Sequence, residues 1–164
     1  MSHHICALVV AGPVDAEQAA SVGLHARLVH DDITVFPIDH YFSAYWAAKR
    51  GTSARLDLPD GLPATFPGEA VLRDLVREVT GTDEPRFAII KTDYFAGIGD
   101  QWAAAFAGER RLTAGTASIN EALAALGVRA SASADEFDVI GLGGFRNNPD
   151  HLDRYVDLCD ELGV

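Results

Sequence analysis

A group of polar residues beside a Gly-x-Gly turn is the first place in this sequence where chemistry could occur. Within KTDYFAGIGDQWAAAF, an acid and a phenol precede the glycines, and an acid and an amide follow them: Asp93, Tyr94, Asp100 and Gln101. A carboxylate within an apolar strand is costly unless it is paired or lies at the exposed end of the strand. We therefore treat these four residues, together with Asn120 and Glu136, as a candidate polar pocket. Asp93 is interpreted either as a structural acceptor or as a member of that pocket with Gln101.

The glycines favour a turn over a nucleotide-binding loop. A Rossmann fingerprint requires glycine at positions 1, 3 and 6 of a loop that follows a strand and opens a helix. GIGDQW has Trp102 at the sixth position, and GLGGFR has Arg146 there. Neither stretch contains the Gly-Lys-Ser/Thr of a P-loop. We predict that Tyr94 to Gln101 form the connection of a β-hairpin, in which glycines supply positive φ values.

The sequence contains none of the other common catalytic signatures. It has no Gly-x-Ser-x-Gly elbow and no His-Glu-x-x-His motif. Cys6 and Cys159 are predicted to be buried, reduced thiols. The histidines are scattered, and His-Asp-Asp at 30–32 is interpreted as a turn in preference to a metal site. The sequence therefore predicts no catalytic residue, no metal and no cofactor.

Acidic residues dominate the last 30 residues, which carry more than half of the chain's net charge of -11. On a helical projection they fill one side of the predicted last helix, and we call this set the acidic ridge: Asp150, Asp153, Asp157, Asp160 and Glu161. Like-charge pairs four residues apart each cost about 0.2–0.5 kcal/mol, and acids near a helix C-terminus oppose the helix dipole. A solvated face and a surface that binds a basic protein partner both fit this pattern.

The elements that must position these residues alternate between strands, helices and hairpins. The predicted order is strand, helix, hairpin, helix, loop, helix, hairpin, helix, short strand and helix. Hairpins within such an alternation indicate an α+β fold, a mixed, mostly antiparallel sheet with helices packed on it. No domain boundary is apparent within 1–164, so a single domain is expected. The helix starts are predicted from their capping residues: Asp15, Asp39, Ser118 with Glu121, and Asn148 before Pro149.

The hydropathy and charge of the sequence predict where the protein is located in the cell and which classes of partner it binds. No apolar run approaches the roughly 20 residues of a membrane-spanning helix. The opening MSHHICALVVAGPVDAEQ lacks the basic start and cleavage site of a signal peptide. We therefore expect a cytoplasmic protein with no membrane partner. Nucleic acid is disfavoured as a partner because phosphate neutralisation requires clustered Lys and Arg.

Three stretches, TDYFAGIGDQWAAAF, SINEALAALGV and DEFDVIGLGGFR, occur in this order between Thr92 and Arg146. They resemble a group of small uncharacterised bacterial proteins in which Thr-Asp-Tyr-Phe-Gly-Gly-x-Gly-x-Gln is followed by Ile-Asn-Glu-Ala-Leu and Asp-Glu-Phe-Asp. Ala96 stands where that pattern has glycine. The resemblance implies no established activity. In size and charge such proteins look like immunity proteins that neutralise a toxin.

Two functions are therefore expected from the sequence. The first is a non-catalytic acidic protein that binds a basic protein partner through the acidic ridge, as a toxin-neutralising immunity protein would. The alternative is a small enzyme or small-ligand-binding domain with its site around Asp93, Tyr94 and Gln101. The sequence leaves the oligomeric state open.

Overall fold

The computed structural model describes residues 2–164. Within this range the strands form a single seven-stranded sheet in the order β3-β4-β2-β5-β6-β7, and β1 pairs with the end of β5. Every pairing between these strands is antiparallel, which confirms the α+β prediction. The strands are β1 (Ser2–His3), β2 (Cys6–Ala11), β3 (Leu28–His30), β4 (Ile33–Pro37), β5 (Arg86–Phe95), β6 (Ile98–Ala107) and β7 (Arg110–Arg111).

Helices cover both faces of this sheet. They are α1 (Ala16–Ser21), α2 (His40–Arg50), α3 (Val71–Thr80), α4 (Ile119–Ala125), α5 (Glu136–Val139) and α6 (Arg154–Leu162), with 3-10 turns at Leu142–Gly144 and Asp150–Asp153. Within residues 2–164, none of the helices combines the length and the apolar character that a bilayer crossing requires.

Strand β2 shows how the core is divided, because its side chains alternate between two buried clusters. Leu8 and Val10 pack with side chains of α1, α2, α3 and α6. Ala7 and Val9 pack on the other side with α4 and α5. A strand between two such layers needs apolar residues at every position, which explains its continuous hydrophobic run.

Side-chain caps fix several helix starts where the sequence predicts them. The carboxylate of Asp15 accepts hydrogen bonds from the first turn of α1, and that of Asp39 accepts from the Phe42 amide at 2.7 Å. Ser118 and Glu121 form the predicted capping box of α4. The helix starts that position α2 and α4 are therefore encoded locally.

The β5–β6 hairpin is confirmed, with a shorter connection than predicted. Phe95 pairs with Ile98, so Ala96 and Gly97 alone form the turn. Their φ values are +54° and +79°, and positive φ at both central residues is the signature of a type I′ turn. Gly99 has a different role, since a β-carbon there would overlap the backbone carbonyl oxygen of Asp93.

Two predictions near the C-terminus are wrong. The predicted short strand is absent between α4 and α6, where the chain forms α5 and the two 3-10 turns. The last α-helix begins at Arg154, after the 3-10 turn, and the Asn148–Pro149 pair does not open it. The Asn148 side chain accepts from the Cys6 amide at 3.1 Å and donates to the Ile38 carbonyl at 2.9 Å, so it ties this segment to the sheet.

Candidate functional site

A cavity of about 340 Å³ lies on the α4 and α5 side of the sheet, where β1 and β5 end and β6 begins. This volume is at the small end of the range of about 300–1,000 Å³ found for ligand sites. Three residues of the predicted polar pocket line it: Tyr94, Gln101 and Asn120. The other lining residues are His3, Thr92, Asp135, Phe137, Gly143 and Arg146.

Strand alternation decides which predicted residues reach the cavity. Thr92 and Gln101 are cross-strand partners, and Tyr94 lies two positions from Thr92 on the same face. Asp93 and Asp100 are also cross-strand partners, but they belong to the opposite face. The predicted cluster is therefore divided by the sheet, and Asp93 does not share a pocket with Gln101.

Gln101 connects the hairpin to α4. Its Nε2 donates to the Tyr94 hydroxyl at 3.2 Å, and its Oε1 accepts from the Ile119 amide at 2.8 Å. Ile119 is the first residue of α4, whose first amides have no partner within the helix. The bond therefore satisfies a helix-terminal donor and fixes the Gln101 amide in one orientation.

Asn120 connects α4 to α5 in the same way as Gln101 connects the hairpin to α4. Its Oδ1 accepts from the Phe137 amide at 2.9 Å, and its Nδ2 donates to the Asp135 carboxylate at 3.0 Å. Asp135 also caps α5 by accepting from the Asp138 amide at 3.0 Å. The Asp138 amide, followed by the Asn120 side chain, lowers the pKa of Asp135 from its usual range. Glu136, a predicted pocket residue, follows this cap and does not line the cavity.

His3 forms a wall of the cavity that sequence reasoning missed. Its Nδ1 lies 2.7 Å from Thr92 Oγ1, and its Nε2 lies 3.0 Å from the Leu142 carbonyl. Its ring packs against Phe137 with centroids 5.5 Å apart. A contact across such a sequence separation leaves no local pattern, so His3 could not be found from spacing.

Arg146 also lines the cavity and was not predicted from the sequence. Its Nη1 donates to the Ser2 carbonyl at 3.2 Å, and its own carbonyl accepts from the His4 amide at 2.7 Å. Its side chain takes part in no ion pair within residues 2–164. The only sequence signal was its position at the end of the third resemblance stretch.

A second cleft, of about 320 Å³, lies where Asp93 projects. Asp93 Oδ1 is 2.9 Å from His4 Nδ1, and the side chain of Asp93 is 64% exposed. Asp93 is therefore paired, although with a side chain and not with backbone donors. Asp39 and Lys91 also line this cleft, and burial raises the pKa of Asp39.

All five residues of the acidic ridge are exposed. Asp150 and Asp153 lie in the 3-10 turn and the other three acids in α6, while Tyr155 and Cys159 face the core at 1% exposure. None of the ion pairs within residues 2–164 includes a ridge carboxylate. The last turn of α6 contains no basic residue. The ridge carboxylates are thus exposed and form no close ion pair within residues 2–164.

The two thiols are buried and unpaired, as predicted. Burial raises the pKa of Cys6 to about 12 and also raises that of Cys159. A reactive cysteine needs a lowered pKa. Within residues 2–164, no group of three or more His, Cys, Asp or Glu residues is arranged to hold a metal ion.

His151 is a titratable group outside both cavities. Its ring meets the edge of His25 with centroids 5.1 Å apart, and its Nε2 is buried without a hydrogen-bond partner within residues 2–164. Burial lowers its pKa, and the charges of His25 and Arg154 lower it further. The structure therefore favours neutral His151.

Comparison with known proteins does not identify a relative. No protein-family model matches the sequence, and neither a curated protein nor a solved structure matches it significantly. The resemblance between Thr92 and Arg146 therefore stays a prediction. Function has to be argued from the geometry of the cavity and of the surface.

Proposed function

We propose that this chain is a small-molecule-binding domain whose site is the cavity between the ends of β1, β5 and β6 and the helices α4 and α5. The observation that carries this proposal is the way the polar side chains of the cavity are held. Tyr94, Gln101 and Asn120 converge there from three separate elements, and hydrogen bonds to backbone amides fix both amide side chains. Binding sites are usually preformed in this way.

The chemistry of these side chains supports binding. The oxygen of each fixed amide accepts from a backbone N–H in the first turn of a helix, and each amide retains an N–H for a further partner. Phe137 adds a half-buried aromatic surface beside them. A few oriented polar groups beside an aromatic surface are the usual lining of a small-molecule pocket. The proposed site is therefore a binding site for a compound of limited size.

Gly143 allows a direct test. Gly143 lines the cavity, and a β-carbon there would have only the Asp138 carboxylate nearby, at 3.8 Å, so the backbone accepts a bulky side chain at this wall. Gly144 is the matched control, because it is exposed, does not line the cavity and has nothing within 4 Å of its β-carbon position. A fragment library screened by ¹H–¹⁵N correlation spectra should give ligands that shift the Gln101 and Asn120 side-chain amides.

Gly143→Leu should abolish this binding, whereas Gly144→Leu should retain it. Thermal unfolding of both variants checks that the fold is intact. The proposal fails if no fragment shifts the cavity resonances, or if Gly143→Leu binds the same fragments as tightly as the parent.

A second candidate function is supported by the exposed acidic ridge, which has no ion pair within residues 2–164. In this proposal a cytoplasmic protein uses the ridge to capture a basic protein, as an immunity protein captures a toxin. Electrostatic attraction of this kind mainly raises the association rate and is screened over about 8 Å at physiological salt.

The substitutions Asp153→Lys, Asp157→Lys and Glu161→Gln test this second candidate together. The two lysines repel each other as Asp153 and Asp157 do, but the repulsion between Asp157 and Glu161 is removed and positive charge replaces negative charge along α6. The isolated protein should therefore be equally or more stable, because cations are favoured towards a helix C-terminus. Affinity capture with parent and triple variant at low and high salt should recover a basic protein only with the parent at low salt. Equal capture by both proteins would show that the ridge is a solvated face.

A further inference from the structure

Within the cavity, the side-chain amide oxygens already accept hydrogen bonds from the protein, whereas some of the side-chain N–H groups have no partner within residues 2–164. Gln101 Oε1 and Asn120 Oδ1 already accept from backbone amides. Each side chain has two N–H groups and uses one of them within residues 2–164, on Tyr94 and Asp135 respectively. The Tyr94 hydroxyl accepts from Gln101, so its own proton is available to a ligand. The polar groups that remain for a ligand are mainly donors.

Arg146 extends this excess of donors. A guanidinium carries five N–H groups in a planar fork. Within residues 2–164, the Arg146 side chain donates one hydrogen bond, to the Ser2 carbonyl. The side chain is exposed at the mouth of the cavity and has no carboxylate partner within residues 2–164. The fork matches the two oxygens of a carboxylate. A ligand carboxylate would therefore satisfy donors that the protein leaves open.

Asp135 limits the charge that the ligand can carry. It lines the same cavity, and each of its two oxygens accepts one hydrogen bond, from Asn120 and from the Asp138 amide respectively. Because one guanidinium and one carboxylate face the ligand, a single negative charge near Arg146 is favoured over a dianion. This argument selects a carboxylate over a phosphate monoester.

The rings of Phe137 and His3 select the rest of the ligand. Their centroids are 5.5 Å apart and their planes are tilted by 52°, so they form a bent aromatic wall. Gly143, which has no side chain, also lines the cavity. Aromatic rings pack favourably on such a wall in offset or edge-to-face geometry. A volume of about 340 Å³ accepts one substituted ring and not a dinucleotide.

We infer that the ligand is a small aromatic monocarboxylate, with its carboxylate on Arg146, its ring against Phe137 and His3, and a ring substituent directed to Tyr94. This inference rests on the proposed small-molecule-binding function. The probes that test it are benzoate, 4-hydroxybenzoate, benzamide, phenyl phosphate and cyclohexanecarboxylate, titrated into the intact protein and followed by the side-chain amide resonances of Gln101 and Asn120.

Benzoate should bind about tenfold or more tightly than benzamide, because a charge-assisted hydrogen bond contributes more than a neutral one. It should also bind more tightly than phenyl phosphate and cyclohexanecarboxylate, and 4-hydroxybenzoate should bind at least as tightly as benzoate. Arg146→Gln should remove the preference for benzoate over benzamide. Arg110→Gln, which removes an exposed arginine of β7 outside this cavity, should retain it.

The outcomes separate the two claims. If benzamide or phenyl phosphate binds in the cavity as tightly as benzoate, or if Arg146→Gln keeps the preference, the ligand class is refuted while the binding function stands. If neither these probes nor library fragments shift the cavity resonances, the binding function itself is refuted. Circular dichroism of Arg146→Gln, with Arg146→Lys as a second variant that keeps the charge but not the fork, separates lost recognition from lost folding.

Discussion

Replacing Ala96 by glycine should make the protein more stable. Ala96 is the first central residue of the β5–β6 turn and has φ of +54°. A β-carbon in this left-handed region lies too close to the following carbonyl oxygen, whereas glycine adopts the same conformation without strain. The turn geometry therefore gives a physical reason for glycine at this position.

The magnitude follows from two opposing effects. A left-handed backbone conformation costs an L-residue about 1–2 kcal/mol in the folded state, and glycine removes this cost. Glycine also destabilises the fold by about 0.4–1 kcal/mol, because it has greater freedom in the unfolded chain. Ala96 is exposed, so the change in buried area is negligible. The expected gain is about 0.5–1 kcal/mol, which for a domain of this size raises Tm by about 1–4 °C. Ala96→Asn should give a similar gain, because Asn-Gly is a favoured type I′ pair.

Equilibrium unfolding in urea measures this gain as a higher midpoint at unchanged slope. Ala130→Gly is the matched control, since Ala130 is also exposed and irregular in structure but lacks a positive φ. The control should lose about 0.4–1 kcal/mol. If Ala96→Gly were destabilised as the control is, the turn would not have a left-handed residue at this position, and the reasoning would be refuted.

Two further substitutions test other parts of the fold. Gly99→Ala should destabilise the protein by more than about 1 kcal/mol, because the new β-carbon overlaps the Asp93 carbonyl and the hairpin must shift; a parent-like urea midpoint would show that the strands separate freely there. His151→Gln should flatten the dependence of stability on pH. Burial and nearby positive charge hold the folded-state pKa of His151 below its unfolded value of about 6.5. Neutral His151 therefore contributes stability above a pH of about 6.5. This contribution is lost as the pH falls through the folded-state pKa. Urea midpoints of parent and variant between pH 7.5 and 5 would contradict this if their slopes with pH were identical.

The fold was largely predictable because its signals are local. Asp39 and Ser118 cap helices through their own neighbours, and the two hairpins follow from short apolar runs around turn residues. The prediction of a short strand was wrong because its local signal is weak. Its Val, Ile and Leu residues are too few to distinguish a strand from a helical turn, and Asp135 captures the Asp138 amide to start α5.

The candidate site was predictable only in part. Tyr94, Gln101 and Asn120 reach one cavity, whereas Asp93 and Asp100 lie on the other face of the hairpin. That division follows from the two-residue period of a strand, since adjacent residues point to opposite faces. The sequence predicts the strand but not which of its two faces borders a cavity, because that depends on the packing of α4 and α5. His3 and Arg146 require tertiary contacts between distant segments, which no spacing rule provides.

The contact between His3 and Leu142 spans 139 residues, and β1 contains only two residues. A site closed by such a short strand can open by local fraying while β2, β5 and β6 remain paired, so occupancy and global unfolding are separate equilibria. A bound ligand would join the two remote segments and slow the amide hydrogen exchange of His4 and Ile5, whose N–H groups donate to Arg146 and Thr92. Exchange rates at these two amides would thus report ligand occupancy even under conditions in which the overall stability of the protein hardly changes.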